Sequence, residues 1–585
     1  MSSAFDPVWR FVQMRPALSL TLITLLLFTS GTHLLPLMDR DEPRFATAAR
    51  EMNADAEITV PTFNGKERLD KPILIYWGMQ LSYAILGTHE FAARLPSVIC
   101  MVLLVLLLNR WGREWFGPKA GLLAGFSAAT TLQFLIHGRW AAADMPMILS
   151  IAAAHYGLFT LLGLGYSDAR KKARDFGHHD WVPFWIFYLS LGVGFLAKGP
   201  IAWASPVLTL LAFRYVFWKD DLPLHRLHLS RGILVVLLVI APWGIPALIQ
   251  TNLRFLTVGI GYHVVERGMD PFGGRGWVPG FYLLTALFSL MPWVAFAHAM
   301  YARCREKWTV KEAYLVSWIV PVYLMFSIFA TQLPHYVLPA FPAISLLFGG
   351  IFIGGDIERE SLRRGRVFFW SVSGIYFFLI LALMALAPLP VYEGPFVQVG
   401  MGLAAAILLI GGLVAISTAV WFRGPVIQAG IGIVAVSISL WVAGYALRVS
   451  NPAVQMQDLM RSQPAGTRFI ASQFTEGSLI FYSGRTWTMG ITIENLRQEL
   501  SKPGPVFIVM LEEDLDFGKW LVHSVRKRFG SETPWPGRDR SSDLAAIRAL
   551  GLEEHRFEGF NSGRSRWVRV SAMVRGESAG QPMLP

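Results

Sequence analysis

Carboxylates and cations alternate through one short stretch near the amino terminus, Asp39-Arg40-Asp41-Glu42-Pro43-Arg44, directly after a long apolar run. Charge at that depth is costly in lipid unless it is paired or used. Further groups fall on the same face from segments far apart: His137-Gly138-Arg139-Trp140 with Asp144, Lys198-Gly199-Pro200, and His335-Tyr336. The loop 250–277 adds His263, Glu266, Arg267, Arg275 and Trp277, and the loop 38–72 ends on Asp70-Lys71-Pro72. Taken singly, each has a plain account as an interfacial ion pair, a snorkelling Lys, a helix cap or an interfacial Tyr. Together they collect carboxylates, cations, His and Tyr at one surface, whereas the opposite face carries mostly plain Lys and Arg. Lys and Arg at membrane depth suit a phosphate on a lipid. A carboxylate beside them suits proton abstraction or metal binding. Glycosyl transfer from a polyprenyl phosphate uses both: cations stabilise the departing phosphate, and a second group orients or deprotonates the acceptor.

The elements that must position these residues are membrane spans. Of 585 residues 54% are hydrophobic and only 16% charged, against about 25% charged in a soluble globular protein. The apolar runs predict about thirteen spans: 16–37, 91–108, 120–137, 145–165, 181–197, 200–217, 231–249, 278–300, 313–330, 335–354, 367–387, 399–421 and 425–446. Each is near the ~20 residues a helix needs to cross the hydrocarbon. The fifth and sixth are parted only by Lys198-Gly199-Pro200 and could form one broken element. Lys and Arg cluster in alternate loops, which places the N-terminus in the cytoplasm and, after an odd number of spans, the C-terminus outside it. The first apolar run lacks a small-residue cleavage site and reads as a retained span. The net charge of +12 follows from this topological bias, with attraction to anionic headgroups as a second contribution. The basic residues sit in short loops with no basic domain, which argues against nucleic-acid binding. Cys100 lies in an apolar span and Cys304 in a basic loop, with neither a disulfide nor metal-ligand spacing expected.

Two loops on the outer side, 38–72 and 250–277, are long and charged, and function concentrates in such loops. Helix is expected over Thr47–Met52, and an amphipathic interfacial helix over Ile73–Leu86. From about 447 the chain turns polar. Runs at 468–471, 478–482 and 506–510 predict strands, and 491–501 and 541–551 predict helices, giving a small α/β domain that serves as a lid or support.

The string Asp41-Glu42-x-Arg44-Phe45-Ala46, Ala49-Arg50-Glu51-Met52, Asn64-Gly65, Asp70-Lys71-Pro72, Tyr76-Trp77 and Glu90-Phe91-Ala92-Ala93-Arg94-Leu95 resembles the aminoarabinose transferase (ArnT-like) branch of the protein O-mannosyltransferase-like superfamily. Leu196-Ala197-Lys198-Gly199-Pro200 and His335-Tyr336-Val337-Leu338-Pro339-Ala340 match patterns of the same group. The resemblance covers residues 1–450 by motif and the tail by position and size. It implies a polytopic α-helical membrane glycosyltransferase of the GT-C type, with the membrane domain over 1–446 and a periplasmic α/β domain over 447–585 in the bacterial inner membrane. It further implies transfer of a sugar from undecaprenyl phosphate to a phosphate of lipid A, which weakens the action of polymyxin-like peptides.

Carried over by position, the resemblance makes Asp41 the catalytic-site aspartate, Arg44 its following arginine and Asp144 a second carboxylate of the cavity. Lys71, Lys198, Arg267 and Tyr336 would bind the donor phosphate, and Asp70 with His263 would hold a divalent ion, zinc in the family. Two positions depart from the family pattern: Asp70 stands where a Glu is usual, and Gln332 where a Lys is usual. Related enzymes transfer other sugars, so the sugar stays open. A second reading keeps the donor and changes the acceptor to a protein hydroxyl or another glycan or lipid. A third, a lipid transporter or flippase, predicts charge near the midplane and an internal repeat. Here the charge gathers at one surface and no repeat is visible.

Overall fold

The computed structural model describes residues 6–164, 181–219, 221–259, 277–306, 308–351, 396–421, 425–516, 538–539, 547–561 and 566–576, with isolated positions 371, 374, 519 and 545. His263, Arg267, the span expected at 367–387 and most of the helix expected at 541–551 lie outside these residues.

Among the described residues six helices are long and apolar enough to cross a bilayer, or seven if one bent pair is a single span. Their outer faces suit lipid. On the helix ending at Gln250, Ile233, Leu234, Leu237, Leu238 and Ile245 are all exposed, a pattern costly in water and expected against hydrocarbon.

Several boundaries differ from expectation for local reasons. The helix of the first expected span, Pro16–Thr29, stops short of 37, and Gly31 lies so close to the Leu440 carbonyl that a Cβ would stand 2.6 Å from it. The run 120–137 breaks into Pro118–Thr130 and Leu132–His137, with Thr131 extended between them. The Leu132 N–H that this break releases donates to the Met291 carbonyl (2.8 Å). The run 278–300 is no straight span: the helix Phe281–Ser289 and the segment Trp293–Glu306 meet at 110°.

The segments around Lys198 are two helices, Trp181–Lys198 and Ile201–Ala212, folded back on each other. Trp203 stacks on Phe195 (5.1 Å between ring centroids) and donates to the Leu191 carbonyl (2.9 Å). Twelve residues of continuous helix would hold those positions about 18 Å apart. Gly199 makes the turn at φ +75°, a backbone that favours glycine.

The loop 38–72 forms the helix Glu42–Ala54 and the two-residue strands β1 (Thr62–Phe63) and β2 (Lys66–Glu67), and the helix Leu74–Leu86 follows it. The latter exposes Leu81 and Ile85, as an interfacial helix should.

The tail builds a mixed sheet from β3 (Arg468–Ser472), β4 (Trp487–Met489), β5 (Val506–Asp516), β7 (Glu553–Asn561) and β8 (Arg566–Arg575), ordered β4-β3-β5-β8-β7. A short β6 (Arg538–Asp539) pairs with β5. β3 runs parallel to β4 and β5, and β8 antiparallel to β5 and β7. The run Val506–Leu511 is apolar at every position because both faces are covered. Val506, Ile508 and Met510 pack with Leu496 and Leu500 of the helix Ile493–Leu500. Phe507, Val509 and Leu511 belong to a core shared with Phe45 and Met52 of the first outer loop and Tyr76 of the helix that follows it. The expected strand at 478–482 is instead the helix Gly477–Ser483, buried along its whole length between sheet and loop. A four-residue apolar run, Leu479–Tyr482, does not distinguish strand from helix when every side is buried.

Candidate functional site

The site is assembled from the bottom by a buried ion pair, Glu42–Arg94, with relative exposures of 1% and 0%. Arg94 donates from Nε and Nη2 to the two Glu42 oxygens (2.8 and 2.7 Å). Its remaining N–H groups reach the carbonyls of Thr32 (2.9 Å), Leu35 (2.6 Å) and Pro36 (2.7 Å). Glu42 also accepts from the backbone N–H of Met38 (2.8 Å) and of Ala141 (2.7 Å). Arg139, also buried, donates to the Leu27 carbonyl (3.2 Å). Glu42 and Arg94 stand in the sequence as motif residues without an evident role. The signal was present: a Glu beside an Arg-bearing apolar span needs a partner.

Two candidate carboxylates hang from this pair. Asp41 is the exposed residue immediately before Glu42, and its carbonyl accepts the N–H groups of Arg44 and Phe45 as the loop helix starts. Asp144 opens the helix Asp144–Leu161, three residues after the Ala141 amide that Glu42 holds. Lys198, at the end of its helix, donates to Asp144 Oδ1 at 2.5 Å, and both side chains keep some exposure (20% and 13%). Lys198 is also within electrostatic reach of Asp41 and Tyr336. His137 and His335 lie ring against ring (4.8 Å) beside Asp144.

Next to Lys198 is a cavity of about 110 Å³. Asp70, Lys71, Lys198 and Gly199 form its polar end, and Phe195, Ile240, Trp243, Ala247, Leu248, Phe255 and Leu256 its apolar wall. Lys71 donates to the Asp70 carbonyl (3.1 Å). Two lysines over an apolar wall make a place for an anion carried on a hydrocarbon chain.

Asp41, Lys71, Asp144, Lys198 and Tyr336 thus gather around one point, Lys198. Arg44 is placed differently: its side chain lies beside Gly477 of the tail, and its charge acts on Asp39. Asp70 pairs with Arg68 (3.2 Å), which donates to the Tyr76 hydroxyl (3.0 Å) and covers the Phe45 ring. A divalent ion would have to share Asp70 with that guanidinium. Among the described residues no three His, Cys, Asp or Glu side chains come together as a metal site. His263, the other residue of the expected metal pair, lies outside the described residues.

Asp39, two residues before Asp41, is buried. It accepts from the Ser478 N–H (2.9 Å) and hydroxyl (2.6 Å). Burial pushes its carboxyl up to about 7, the neighbouring Glu476 charge adds to this, and the Ser478 bonds and Arg44 oppose it.

Comparison with known proteins gives a consistent likeness. A family model described as dolichyl-phosphate-mannose-protein mannosyltransferase matches residues 70–245. An undecaprenyl phosphate-alpha-4-amino-4-deoxy-L-arabinose arabinosyl transferase of Aeromonas salmonicida is 27% identical over 63% of this chain and 66% of its own length. The protein of the same name from Pseudomonas aeruginosa strain UCBPP-PA14 is 28% identical over 68% and 70%. The chain spans less than two thirds of the length of the relatives from A. salmonicida (66%), Edwardsiella ictaluri (59%) and Aquifex aeolicus (64%). In fold, ArnT from Cupriavidus metallidurans bound to undecaprenyl phosphate superposes with a TM-score of 0.72 at 17% identity, over 98% of this chain and all of that one. The apo oligosaccharyltransferase of Archaeoglobus fulgidus reaches 0.52 at 12% identity, over 89% of this chain and 71% of that one.

Two outcomes check the site's construction. Arg94→Met leaves Glu42 buried without its cation and lowers stability by about 3–5 kcal/mol, whereas Arg94→Met with Glu42→Leu recovers part of the loss. Thermal midpoints in detergent read both, and an Arg94→Met midpoint equal to wild type would show that the pair anchors nothing. Asp39 has a folded value near 7 against 3.8 unfolded, so its neutral form favours the folded state. That contribution is complete below 3.8 and is lost as pH rises through about 7. Midpoints measured across that range should lose this slope in Asp39→Asn, and an unchanged slope would contradict the assignment.

Proposed function

We propose that this chain, an ArnT-like protein of the GT-C fold, moves a sugar from a polyprenyl phosphate to a phosphate of lipid A at the outer surface of the inner membrane. The observation that carries this is the cavity whose polar end holds Lys71 and Lys198, beside Asp41 and Asp144 and above an apolar wall. A transporter of anionic lipid would not need two carboxylates, Asp41 and Asp144, beside Lys198.

The donor phosphate lies against Lys71 and Lys198, with Tyr336 at its side; the resemblance adds Arg267, which lies outside the described residues. The donor's chain follows the apolar wall. An acceptor oxygen attacks the anomeric carbon, the bond to the donor phosphate breaks, and the configuration inverts. The lysines take up the charge that grows on the leaving polyprenyl phosphate. A phosphate acceptor is already anionic at neutral pH, so Asp41 orders it without removing a proton. A hydroxyl acceptor, as in the second reading, would make Asp41 the general base. The sugar is 4-amino-4-deoxy-L-arabinose or a close relative.

The same reading includes thirteen spans, a cytoplasmic N-terminus, a membrane domain over 1–446 and a periplasmic domain over 447–585. It is supported by the alternation of Lys and Arg between loops and by the tail packing on the side where Asp41 lies.

The test is reconstitution with a polyprenyl-phosphate sugar and lipid A, with mass analysis of the product. Wild-type protein should add one sugar to lipid A, and Asp41→Asn should slow transfer by roughly 10²-fold or more at unchanged expression. Transfer at the wild-type rate in Asp41→Asn removes Asp41 from the mechanism. Unmodified lipid A with a modified protein or glycan would select the second acceptor.

A further inference from the structure

The short turn that carries Asp41 is held from two sides. Asp39 and Glu42 are buried, and between them Arg40 and Asp41 are exposed. Glu42 is fixed by the membrane part through Arg94. Asp39 is fixed by the tail, through both the N–H and the hydroxyl of Ser478. The segment just before the turn is tied to the tail as well. The Leu37 N–H donates to the Tyr482 hydroxyl (3.0 Å), which in turn donates to Glu90 (3.2 Å).

The segment after the turn clasps the same tail helix at its other end. Arg50 donates to the carbonyls of Phe481 (2.8 Å) and Ile480 (3.1 Å). Beyond it, the Asn64 side chain exchanges two hydrogen bonds with the Trp487 backbone, both 2.7 Å. The fit is close: a Cβ on Gly477 would touch Pro43, Arg44 and Phe63 at 3.4–3.6 Å. A lid that merely covered the site would have no need of hydrogen bonds to the residues flanking Asp41.

We propose that the tail domain is a working part of the acceptor site, in which Ser478 holds Asp39 and thereby sets the position of Asp41. Asp39 and Ser478 are positioning residues, since neither faces the cavity with the two lysines. Glu42 alone fixes one end of a four-residue turn and leaves its apex free to swing. A second anchor two residues before Asp41 removes that freedom, which is what a group placed to orient an acceptor requires. The assignment rests on the transfer reading above for its catalytic consequence and on geometry alone for the positioning.

The experiment uses the full chain in detergent with two readouts on Ser478→Ala, and on Asp39→Asn should the first variant fail to fold. Hydrogen–deuterium exchange of a peptide spanning 37–46 reports how firmly the turn is held. Steady-state transfer from a polyprenyl-phosphate sugar to lipid A reports kcat and KM. The expected result is exchange at least tenfold faster across this peptide, kcat reduced about tenfold, and the KM for both lipids within twofold of wild type. Unchanged exchange overturns the proposal, and so does faster exchange with kcat intact. Faster exchange in a protein that modifies no lipid at all would sink the transferase reading while supporting the tail's hold on the turn.

Discussion

A single carboxylate–guanidinium pair, withdrawn completely from solvent, organises the outer end of this molecule. Glu42 and Arg94 meet through two short hydrogen bonds, and each spends its remaining capacity on backbone. Isolated, either charge would be intolerable at that depth. Paired and fully hydrogen-bonded, the two are tolerated and fix geometry. They tie the chain leaving the first helix, the start of the outer-loop helix and the turn before Asp144 to one point. Asp41 and Asp144 come from different parts of the sequence, yet each sits within three residues of a Glu42 contact. This is how a bundle of separately inserted helices can place two carboxylates beside one cavity.

The Lys198–Asp144 pair has the opposite character. It retains solvent access, borders a cavity and lies within reach of Asp41, Tyr336 and two histidines. A sealed pair holds structure, whereas one at a cavity mouth can exchange its partner for an anionic ligand. The cavity's composition points the same way, with two ammonium groups at one end and aromatic and aliphatic side chains along the wall. The flanks of Asp41 divide similarly, Glu42 turning inward to the helices and Asp39 outward to the tail. The tail therefore shares both a hydrophobic core and a hydrogen-bond network with the first outer loop.

Much of the site was legible because charge within apolar sequence is conspicuous. Asp41, Lys71, Asp144, Lys198 and Tyr336 stand out by type and depth, and the structure brings them around Lys198. Less legible was what depends on a distant partner. Arg94 shows in the sequence only as an Arg opening an apolar run, and its five acceptors come from elsewhere. The helix Gly477–Ser483 reads as a strand because its four consecutive apolar residues, Leu479–Tyr482, carry no period once every side is buried. The break at Thr131 depends on a carbonyl from Met291, and the 110° bend lies inside a run whose hydropathy is uninterrupted. The expectation of a metal at Asp70 rests on family resemblance, whereas its ion pair with Arg68 could be read from the two-residue spacing.

The central claim is that Lys71 and Lys198 together receive the phosphate of a polyprenyl chain. A structure of this protein with a polyprenyl phosphate bound tests it directly. The account predicts phosphate oxygens about 2.7–3 Å from both lysine ammonium groups, with the first isoprene units against Phe195, Trp243 and Phe255. A phosphate bound elsewhere, with the Lys198–Asp144 pair intact and the apolar wall empty, would contradict it.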